Sequence, residues 1–474
     1  MLGVGACCGF LLYRLAPDVG DKPLYEDEAI AGLISLRPLG EVLETVLLDR
    51  GGAPLHFVLA HLAISIEASA EAMRWVSVLA ALAAVPLCFD LARRLSGLTA
   101  GVVAAAVAAS STALAVYGTF GRMYALFVLV AALFCDLFVR ALQVRSRGAV
   151  SAAAFAGWLL PAVHPYGAIP AFVALVIAAA IWRRGRDLRA AAPVAVAALA
   201  AIPFLLADLR LADRAAVSSE GGALASPGEA WTELVAALSS FAGGDGLPLV
   251  FFTALALAGL MLLLRREPAF AALAVAIVLP PLLFVLLRSE ASPDLSPRHL
   301  FYGLPIWAAA IGVAASRLPL TAALLVGVIA VTSPASALRD PRDFELASVD
   351  PDEEPSIRAG QNDVLLPYAA VFLASLSDVR QALALPHAPG EEIVAALEHA
   401  DEPIDTLHVA VPPSGRSGTW TVVPLKGPFD RAEAIAAAAE YLARLDNPEA
   451  PQWWLDWIEP GLCEALRKLD RGCP

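Results

Sequence analysis

Long apolar runs, rather than alternating apolar and polar positions, dominate the first 334 residues of the chain. A bilayer core about 30 Å thick requires roughly 20 predominantly apolar residues for each spanning helix. The pattern therefore predicts an all-α membrane bundle of about 11 transmembrane helices. The runs that predict these helices lie near residues 1–14, 74–92, 97–117, 122–141, 149–163, 165–182, 189–208, 247–264, 269–287, 300–316 and 319–333.

Basic residues cluster in the short segments between these runs, and successive clusters are separated by two runs. The clusters contain Arg93 and Arg94; Arg140, Arg145 and Arg147; Arg183, Arg184, Arg186 and Arg189; Arg265 and Arg266; and Arg317. Short loops rich in Lys and Arg stay on the cytoplasmic side of a membrane. We therefore predict a multi-pass plasma-membrane protein whose N-terminus and basic clusters face the cytoplasm.

One further apolar run, over residues 53–66, does not fit this alternation. It is short for a spanning helix, and a crossing there would place Arg93 and Arg94 on the wrong side. We expect it to lie along the outer surface or to re-enter the membrane. The segment from Arg14 to Arg74 then forms one large external loop with surface-lying helices, and residues 209–246 form a second external loop.

The apolar runs stop near residue 332, which predicts a separate soluble domain over 335–474 on the external side. Residues 404–411 and 419–425 have strand character, and residues 431–445 have apolar positions at helical spacing. The sequence thus divides into a membrane domain, 1–334, and a small external α/β domain. Cys463 and Cys473 lie in that second domain, and whether they form a disulfide stays open.

Composition and charge agree with this division. The chain is 58% hydrophobic and 17% charged, whereas soluble domains are about 45–50% apolar and about 25% charged. The net charge of −13 comes from residues 335–474, which hold 24 acidic and 11 basic side chains, so residues 1–334 are balanced. An acidic external domain gives no support to nucleic-acid binding.

Polar residues that would lie at the outer ends of the predicted helices are the candidate functional residues. Ionisable groups at membrane depth are costly and are usually functional. Each has a simpler explanation by itself: an arginine can snorkel to the interface, and His164 can end a helix. Together they predict a polar cavity at the outer face, formed by Asp27, Glu28, Asp49, His56, Arg74, Arg122, Tyr124, His164, Tyr166 and Arg298.

A carboxylate beside several arginines suits transfer of a group from a phosphate to a hydroxyl. The carboxylate takes the acceptor proton, and the arginines stabilise the phosphate that leaves. The sequence has no G-x-S-x-G, no P-loop and no dinucleotide-binding glycine motif. It also has no zinc-ligand spacing of cysteines.

The same motifs resemble the GT-C glycosyltransferases of the protein O-mannosyltransferase and aminoarabinose transferase group, over roughly residues 1–335. They are Asp27-Glu28-Ala29, Asp49 followed by Ala53-Pro54-Leu55-His56-Phe57, Arg74, Leu91-Ala92-Arg93-Arg94-Leu95-Ser96-Gly97, Gly121-Arg122-Met123-Tyr124-Ala125-Leu126, His164-Pro165-Tyr166 and Arg298-His299-Leu300. The chain departs from the group at 50–54, where members often carry His-Pro-Pro.

The resemblance implies inverting transfer of a sugar from a polyprenyl phosphate to an acceptor hydroxyl on the outer face. Asp27 matches the catalytic aspartate of the group, with Glu28 as its neighbour. Arg122, Tyr124 and Arg298 would hold the donor phosphate or order the cavity. A divalent metal is optional in this scheme, and the departure at 50–54 leaves acceptor contacts and any metal role near His56 open.

Two other classes remain as alternatives: a transporter or flippase of lipid-linked sugars, and a non-catalytic cell-envelope assembly protein whose acidic domain binds a partner. Transporters often contain repeated halves and bind near the bilayer midplane, but this chain has no evident repeat. Its predicted intramembrane acids are Asp90 and Asp136. The sequence specifies neither the sugar nor the acceptor, which can be a protein, a glycan or a lipid.

Overall fold

The computed structural model of the chain describes residues 2–21, 26–49, 53–144, 146–168, 171, 196–204, 206–207, 227–271, 273–274, 297–332, 356–358, 381–384, 404–411, 419–430, 433 and 437. Most of the predicted helices over 165–182 and 269–287 lie outside these residues. Two compact units are present. The first contains Met1–Asp21, Arg37–Ala63 and Glu71–Asp340, and the second contains Lys22–Leu36, Ile64–Ala70 and Pro341–Pro474.

The described residues are mostly helical, and many of the helices are apolar, as the sequence predicts. In chain order the helices are α1 (Leu2–Asp21), α2 (Glu26–Ser35), α3 (Leu39–Asp49), α4 (Leu55–Ile66), α5 (Ala70–Ser96), α6 (Leu98–Ser110), α7 (Thr112–Tyr117), α8 (Tyr124–Val144), α9 (Arg147–Val163), α10 (Pro227–Ala242), α11 (Leu247–Arg266), α12 (Leu304–Ala315) and α13 (Leu320–Thr332). Among the described residues, α5, α8 and α11 are long and apolar enough to cross a membrane.

The run predicted as one helix over 97–117 is two helices. Ser111 has an extended backbone, with φ −61° and ψ 138°, and its hydroxyl accepts a hydrogen bond of 3.1 Å from the amide of Leu114. A serine in this position caps the helix that follows it. The break leaves α7 as a short helix at one end of the bundle.

One other predicted boundary is wrong. The sequence predicts a first helix over 1–14, but α1 continues to Asp21, so Arg14 lies within α1. The predicted loop over 209–246 contains α10, whose apolar residues Trp231, Leu234 and Leu238 repeat at helical spacing. The glycines and acidic residues that flank α10 obscured this pattern.

The two ends of the bundle in the first unit carry different residues. At one end, α6 leads through α7 to the start of α8, close to the side chains of His56 and Ser77. At the other end, the hydroxyls of Ser96 and Ser316 are 2.7 Å apart, and Gln143 donates to the carbonyl oxygen of Arg94. We call these the site end and the arginine end.

Ion pairs at the arginine end involve both acids that the sequence places within the apolar helices. Arg94 donates to Asp136 at 2.6 Å and to Asp90 at 3.1 Å, and Arg93 pairs with Asp90 at 2.8 Å. The side chain of Asp136 is only 7% exposed. A buried acid without such a partner would be strongly destabilising. The ion pairs with Arg93 and Arg94 therefore explain how the bundle tolerates Asp90 and Asp136.

Small residues bring three helices close together. A Cβ atom added at Gly259 of α11 would collide with the backbone of Ala310 in α12. One added at Gly312 of α12 would collide with the backbone carbonyl of Ala100 in α6. Close backbone approach at small residues is typical of helix packing in membranes, where apolar burial does not drive association between helices.

The second unit contains a four-stranded sheet formed by β1 (Ser356–Arg358), β2 (Gln381–Ala384), β3 (Ile404–Val411) and β4 (Thr419–Phe429). The strand order is β1-β4-β3-β2, with β4 antiparallel to β1 and β3, and β2 parallel to β3. Both predicted strands are confirmed, and the second extends beyond residue 425. Of the predicted helix over 431–445, the structure describes only positions 433 and 437.

The contact between α11 and α12 leads to a stability prediction. Gly259→Ala will lower the unfolding temperature of the detergent-purified protein by several degrees, because overpacking a close contact costs about 1–3 kcal/mol. The matched control is Gly148→Ala on α9, where an added Cβ meets no atom within 4 Å. Equal unfolding temperatures for Gly259→Ala and Gly148→Ala would contradict the close packing.

Candidate functional site

The turn between α7 and α8, residues 118–123, is the centre of the candidate site. The hydroxyl of Ser77 lies 2.6 Å from the carbonyl oxygen of Phe120 and 3.2 Å from that of Arg122. Since a hydroxyl has one proton, the shorter contact to Phe120 is the stronger one. The Nε2 atom of His56 lies 3.0 Å from the carbonyl oxygen of Gly121. Side chains from α4 and α5 therefore hold this turn from two directions.

The hydrogen bond to Gly121 determines the tautomer of His56. A carbonyl oxygen only accepts, so Nε2 carries the proton and Nδ1 carries the lone pair. The imidazole is fully buried, and within the described part of the chain its Nδ1 atom has no hydrogen-bond partner.

The helix that carries His56, α4, has only 12 residues and is therefore too short to span a bilayer.

The imidazole of His56 is neutral at physiological pH. Burial, as the largest cause, and the positive charge of Arg122 together lower its pKa to about 3, and the hydrogen bond to Gly121 partly opposes them. Desolvation disfavours the charged form of a histidine, and so does a nearby cation. The site thus contains a neutral acceptor beside a cation.

Arg122 is the cation on the turn. Its side chain is half-buried, and its guanidinium carbon lies 6.0 Å from the centre of the Phe57 ring. This distance is at the limit of a cation–π interaction. Consecutive residues of α4 therefore contact the turn, His56 through the Gly121 carbonyl and Phe57 through the Arg122 side chain.

Two other arginines at the site end bind backbone carbonyl oxygens. Arg74 of α5 is 2% exposed and donates to the carbonyl oxygen of Val19 in α1 at 2.8 Å. Arg14 of α1 donates to the carbonyl oxygen of Ser110, the last residue of α6, at 2.9 Å. The last carbonyl groups of a helix have no partner within the helix. Both arginines therefore have a structural function at helix ends.

His164 ends α9 and has an extended backbone before Pro165, as expected for a residue that precedes proline. Its Nδ1 atom accepts a hydrogen bond of 3.2 Å from the amide of Tyr166. Its ring stacks on Phe127 at 4.8 Å and on Tyr166 at 5.4 Å. These contacts agree with the helix-end interpretation of this histidine.

An aromatic cluster connects His164 to the turn. The ring of Tyr124, the first residue of α8, lies 6.2 Å from that of His164 and 5.9 Å from that of Phe120. Tyr117 lies 5.1 Å from Tyr124 and 4.6 Å from Phe301. The structure thus brings His56, Arg122, Tyr124, His164 and Tyr166 into one continuous set of contacts.

The remaining candidates lie on three other elements. Asp49 is the last residue of α3, and Arg298 lies in a 3-10 helix, Pro297–Gly303, that leads into α12. Asp27 and Glu28 lie on α2 in the second unit, where Glu28 is fully buried. The side chains of Asp27, Asp49 and Arg298 lie outside the described set.

Sequence reasoning did not identify Ser77, although it holds the turn. A signal for it exists: Ser77 follows Arg74 by three residues, which places both on the same face of a helix. A small hydroxyl within an apolar run gives no sign of its partner, because the Phe120 carbonyl is 43 residues away in sequence.

A divalent metal site is not found among the described residues. No three His, Cys, Asp or Glu side chains come together among them in a way that could hold a metal ion. His56 has the Arg122 cation as its neighbour, and a positive charge there would repel a divalent ion. The optional metal of the sequence prediction gains no support from this part of the chain.

The solved structures that resemble this chain include the following three. ArnT from Cupriavidus metallidurans bound to undecaprenyl phosphate has 16% identity and a TM-score of 0.49, over 67% of this chain and 60% of that chain. The arabinosyltransferase EmbB from Mycobacterium smegmatis has 15% identity and a TM-score of 0.44, over 68% of this chain and 31% of that one. The apo oligosaccharyltransferase from Archaeoglobus fulgidus has 13% identity and a TM-score of 0.45, over 72% of this chain and 55% of that one.

All three similarities lie at 13–16% identity and at TM-scores below 0.5. The chain spans about three fifths or less of the length of each of them. No protein-family model matches the sequence, and no curated protein matches it either. At these identities and scores, the similarities assign neither an activity nor the role of a residue.

The low pKa of His56 predicts how stability depends on pH. An unfolded histidine titrates near 6.5 and the folded one near 3, so the unfolded state binds more protons between these values. The contribution of the neutral His56 side chain to the free energy of unfolding is fully present above about pH 6.5. It is lost as the pH falls toward 3. The unfolding temperature in detergent will therefore fall below pH 6.5, and His56→Gln will fall less steeply. Parallel pH profiles for wild type and His56→Gln would contradict this assignment.

Proposed function

We propose that this protein is a glycosyltransferase that moves a sugar from a polyprenyl-phosphate donor to an acceptor hydroxyl. The observation that carries the proposal is the turn at the site end, where His56 and Ser77 fix the backbone beside the Arg122 cation. A preorganised cation is suited to stabilise the charge that develops on a departing phosphate. A bundle of apolar helices is a suitable environment for the lipid part of such a donor.

The reaction proposed is a single displacement with inversion at the anomeric carbon. The acceptor oxygen forms a bond to that carbon while the bond from the carbon to the phosphate oxygen breaks. The acceptor proton passes to the carboxylate of Asp27, and the polyprenyl phosphate leaves with the bonding electrons. Arg122, Tyr124 and Arg298 would contact the phosphate, and Asp49, Arg74, His164 and Tyr166 would line or support the cavity. No step requires a metal ion.

The arrangement of charges supports an outer-face reaction in the plasma membrane. Arg93, Arg94 and Arg317 belong to the arginine end, whereas His56, Arg122 and Tyr124 lie at the opposite end. Since short basic loops stay in the cytoplasm, the site end would face outward. The protein would then have about 11 spanning helices, a cytoplasmic N-terminus and an external C-terminal domain.

A transporter gains less support from the structure. Transport of ions or protons through a membrane commonly uses acidic residues within the helices. At the arginine end, Asp90 forms ion pairs with Arg93 and Arg94, and Asp136 forms an ion pair with Arg94. They are thus engaged in stabilising the helices and are poorly placed to serve a substrate at the site end.

The catalytic base can be tested by release of free polyprenyl phosphate from a panel of lipid-linked sugars, with the protein reconstituted in lipid. Asp27→Asn will lower release at least 100-fold, because a carboxamide cannot take the acceptor proton. Glu71→Gln, which neutralises an exposed acid at the start of α5, will retain wild-type release. Full activity of Asp27→Asn would remove Asp27 from the base role.

The phosphate role of Arg122 can be tested separately by donor binding. Arg122→Gln will weaken binding of the lipid-linked donor about 10-fold or more, because an ionic hydrogen bond to phosphate is lost. The control is Arg93→Gln, which removes an exposed arginine at the arginine end. If the two variants weaken binding equally, the effect is general electrostatics and Arg122 has no specific contact with phosphate.

A further inference from the structure

His56 has one ring atom whose purpose the fold does not explain. Its Nε2 proton is used by the Gly121 carbonyl at 3.0 Å, which fixes the ring orientation and leaves Nδ1 as an acceptor. Within the described part of the chain, Nδ1 is buried and has no donor. Buried polar atoms in native proteins almost always have a partner. A molecule other than the folded chain is the natural source of that partner.

The chemistry of Nδ1 restricts what the partner can be. A neutral imidazole nitrogen with a lone pair accepts a hydrogen bond, so the partner must carry an O–H or N–H group. An ionised phosphate diester has no proton and cannot satisfy it. A divalent metal is disfavoured by the positive charge of Arg122, which already acts on this imidazole. Arg122, in contrast, is suited to an anion.

One ligand is therefore expected to present an anionic group to Arg122 and, next to it, an O–H or N–H group to Nδ1 of His56. Arg122 follows the residue whose carbonyl binds His56, and Phe57 contacts the Arg122 side chain at 6.0 Å. The segment of α4 that presents Nδ1 thus also positions the guanidinium. A ligand with an anion and a nearby hydroxyl matches both atoms, and the sugar phosphate part of the proposed donor has this pattern.

We infer that Nδ1 of His56 accepts a hydrogen bond from a sugar hydroxyl of the lipid-linked donor, close to the phosphate that Arg122 holds. This inference rests on the proposed function and deepens it, because it makes His56 a specificity-determining residue. The site selects donors that carry a hydroxyl near the phosphate-bearing carbon. A sugar that lacks this hydroxyl leaves Nδ1 unpaired, and sites of this kind reject such analogues strongly.

The test measures donor affinity in the full-length protein in lipid nanodiscs. The probes are short-chain polyprenyl phosphates carrying glucose, galactose, mannose or arabinose, together with each monodeoxy form of the sugar that binds best. In the wild type, one deoxy analogue will bind about 10-fold or more weakly than its parent. Arg122→Gln will weaken the parent and the analogue by the same factor.

Two substitutions of His56 separate the acceptor atom from the turn. His56→Gln places an amide N–H near the former Nε2, so it can hold the Gly121 carbonyl but offers no acceptor at the Nδ1 position. His56→Asn places an oxygen near Nδ1 but does not reach Gly121. The deoxy penalty will disappear in His56→Gln and will be retained in His56→Asn.

Each contrary result has a distinct meaning. If the wild type binds every deoxy analogue as tightly as its parent, a water molecule fills the Nδ1 position, and this inference fails while the proposed function stands. If the penalty persists in His56→Gln, or disappears in both variants, the acceptor atom does not set the selectivity and the inference also fails. Absence of any donor binding by the wild type would overturn both proposals.

Discussion

The site end of the bundle depends on one constraint: backbone carbonyl groups at helix ends need donors where water is scarce. In an apolar environment an unsatisfied carbonyl is costly, and helices that stop there need side-chain partners. Within the described residues, four such donors are Arg14, Arg74, Ser77 and His56, which bind the carbonyls of Ser110, Val19, Phe120 and Gly121. Two of these donors, Ser77 and His56, hold the turn that carries Arg122 in a defined conformation.

This constraint changes how the polar residues of the site are interpreted. Ionisable groups at membrane depth are usually assigned to function, but Arg74 also stabilises the end of α1, and His164 ends α9 and caps the turn after it. Arg122 is different, because it lies on the turn that the other residues hold. A fixed scaffold around one cation is the arrangement that a binding site for a charged group needs.

Several elements were predictable from the sequence because their physics is local. Apolar run length predicts α8, α9 and α11 to within a few residues, and the spacing of arginine clusters predicts which helix ends lie together. The interruption at Ser111 was not predictable, because serine and threonine residues in an apolar run, here Ser110, Ser111 and Thr112, can also remain helical. The tautomer of His56 and the role of Ser77 depend on carbonyl groups 65 and 43 residues away, which no local pattern reveals.

The pairing of His56 with Arg122 also has a consequence for ligand binding. The charge of Arg122 helps to keep the imidazole neutral, but burial is the larger cause. When an anion binds Arg122, the contribution of that charge is partly cancelled and the pKa of His56 rises. Because burial alone still disfavours the imidazolium, the ring stays neutral and Nδ1 stays an acceptor. The site can therefore hold an anion on the guanidinium and a hydroxyl on the imidazole at the same time, and neither interaction removes the other.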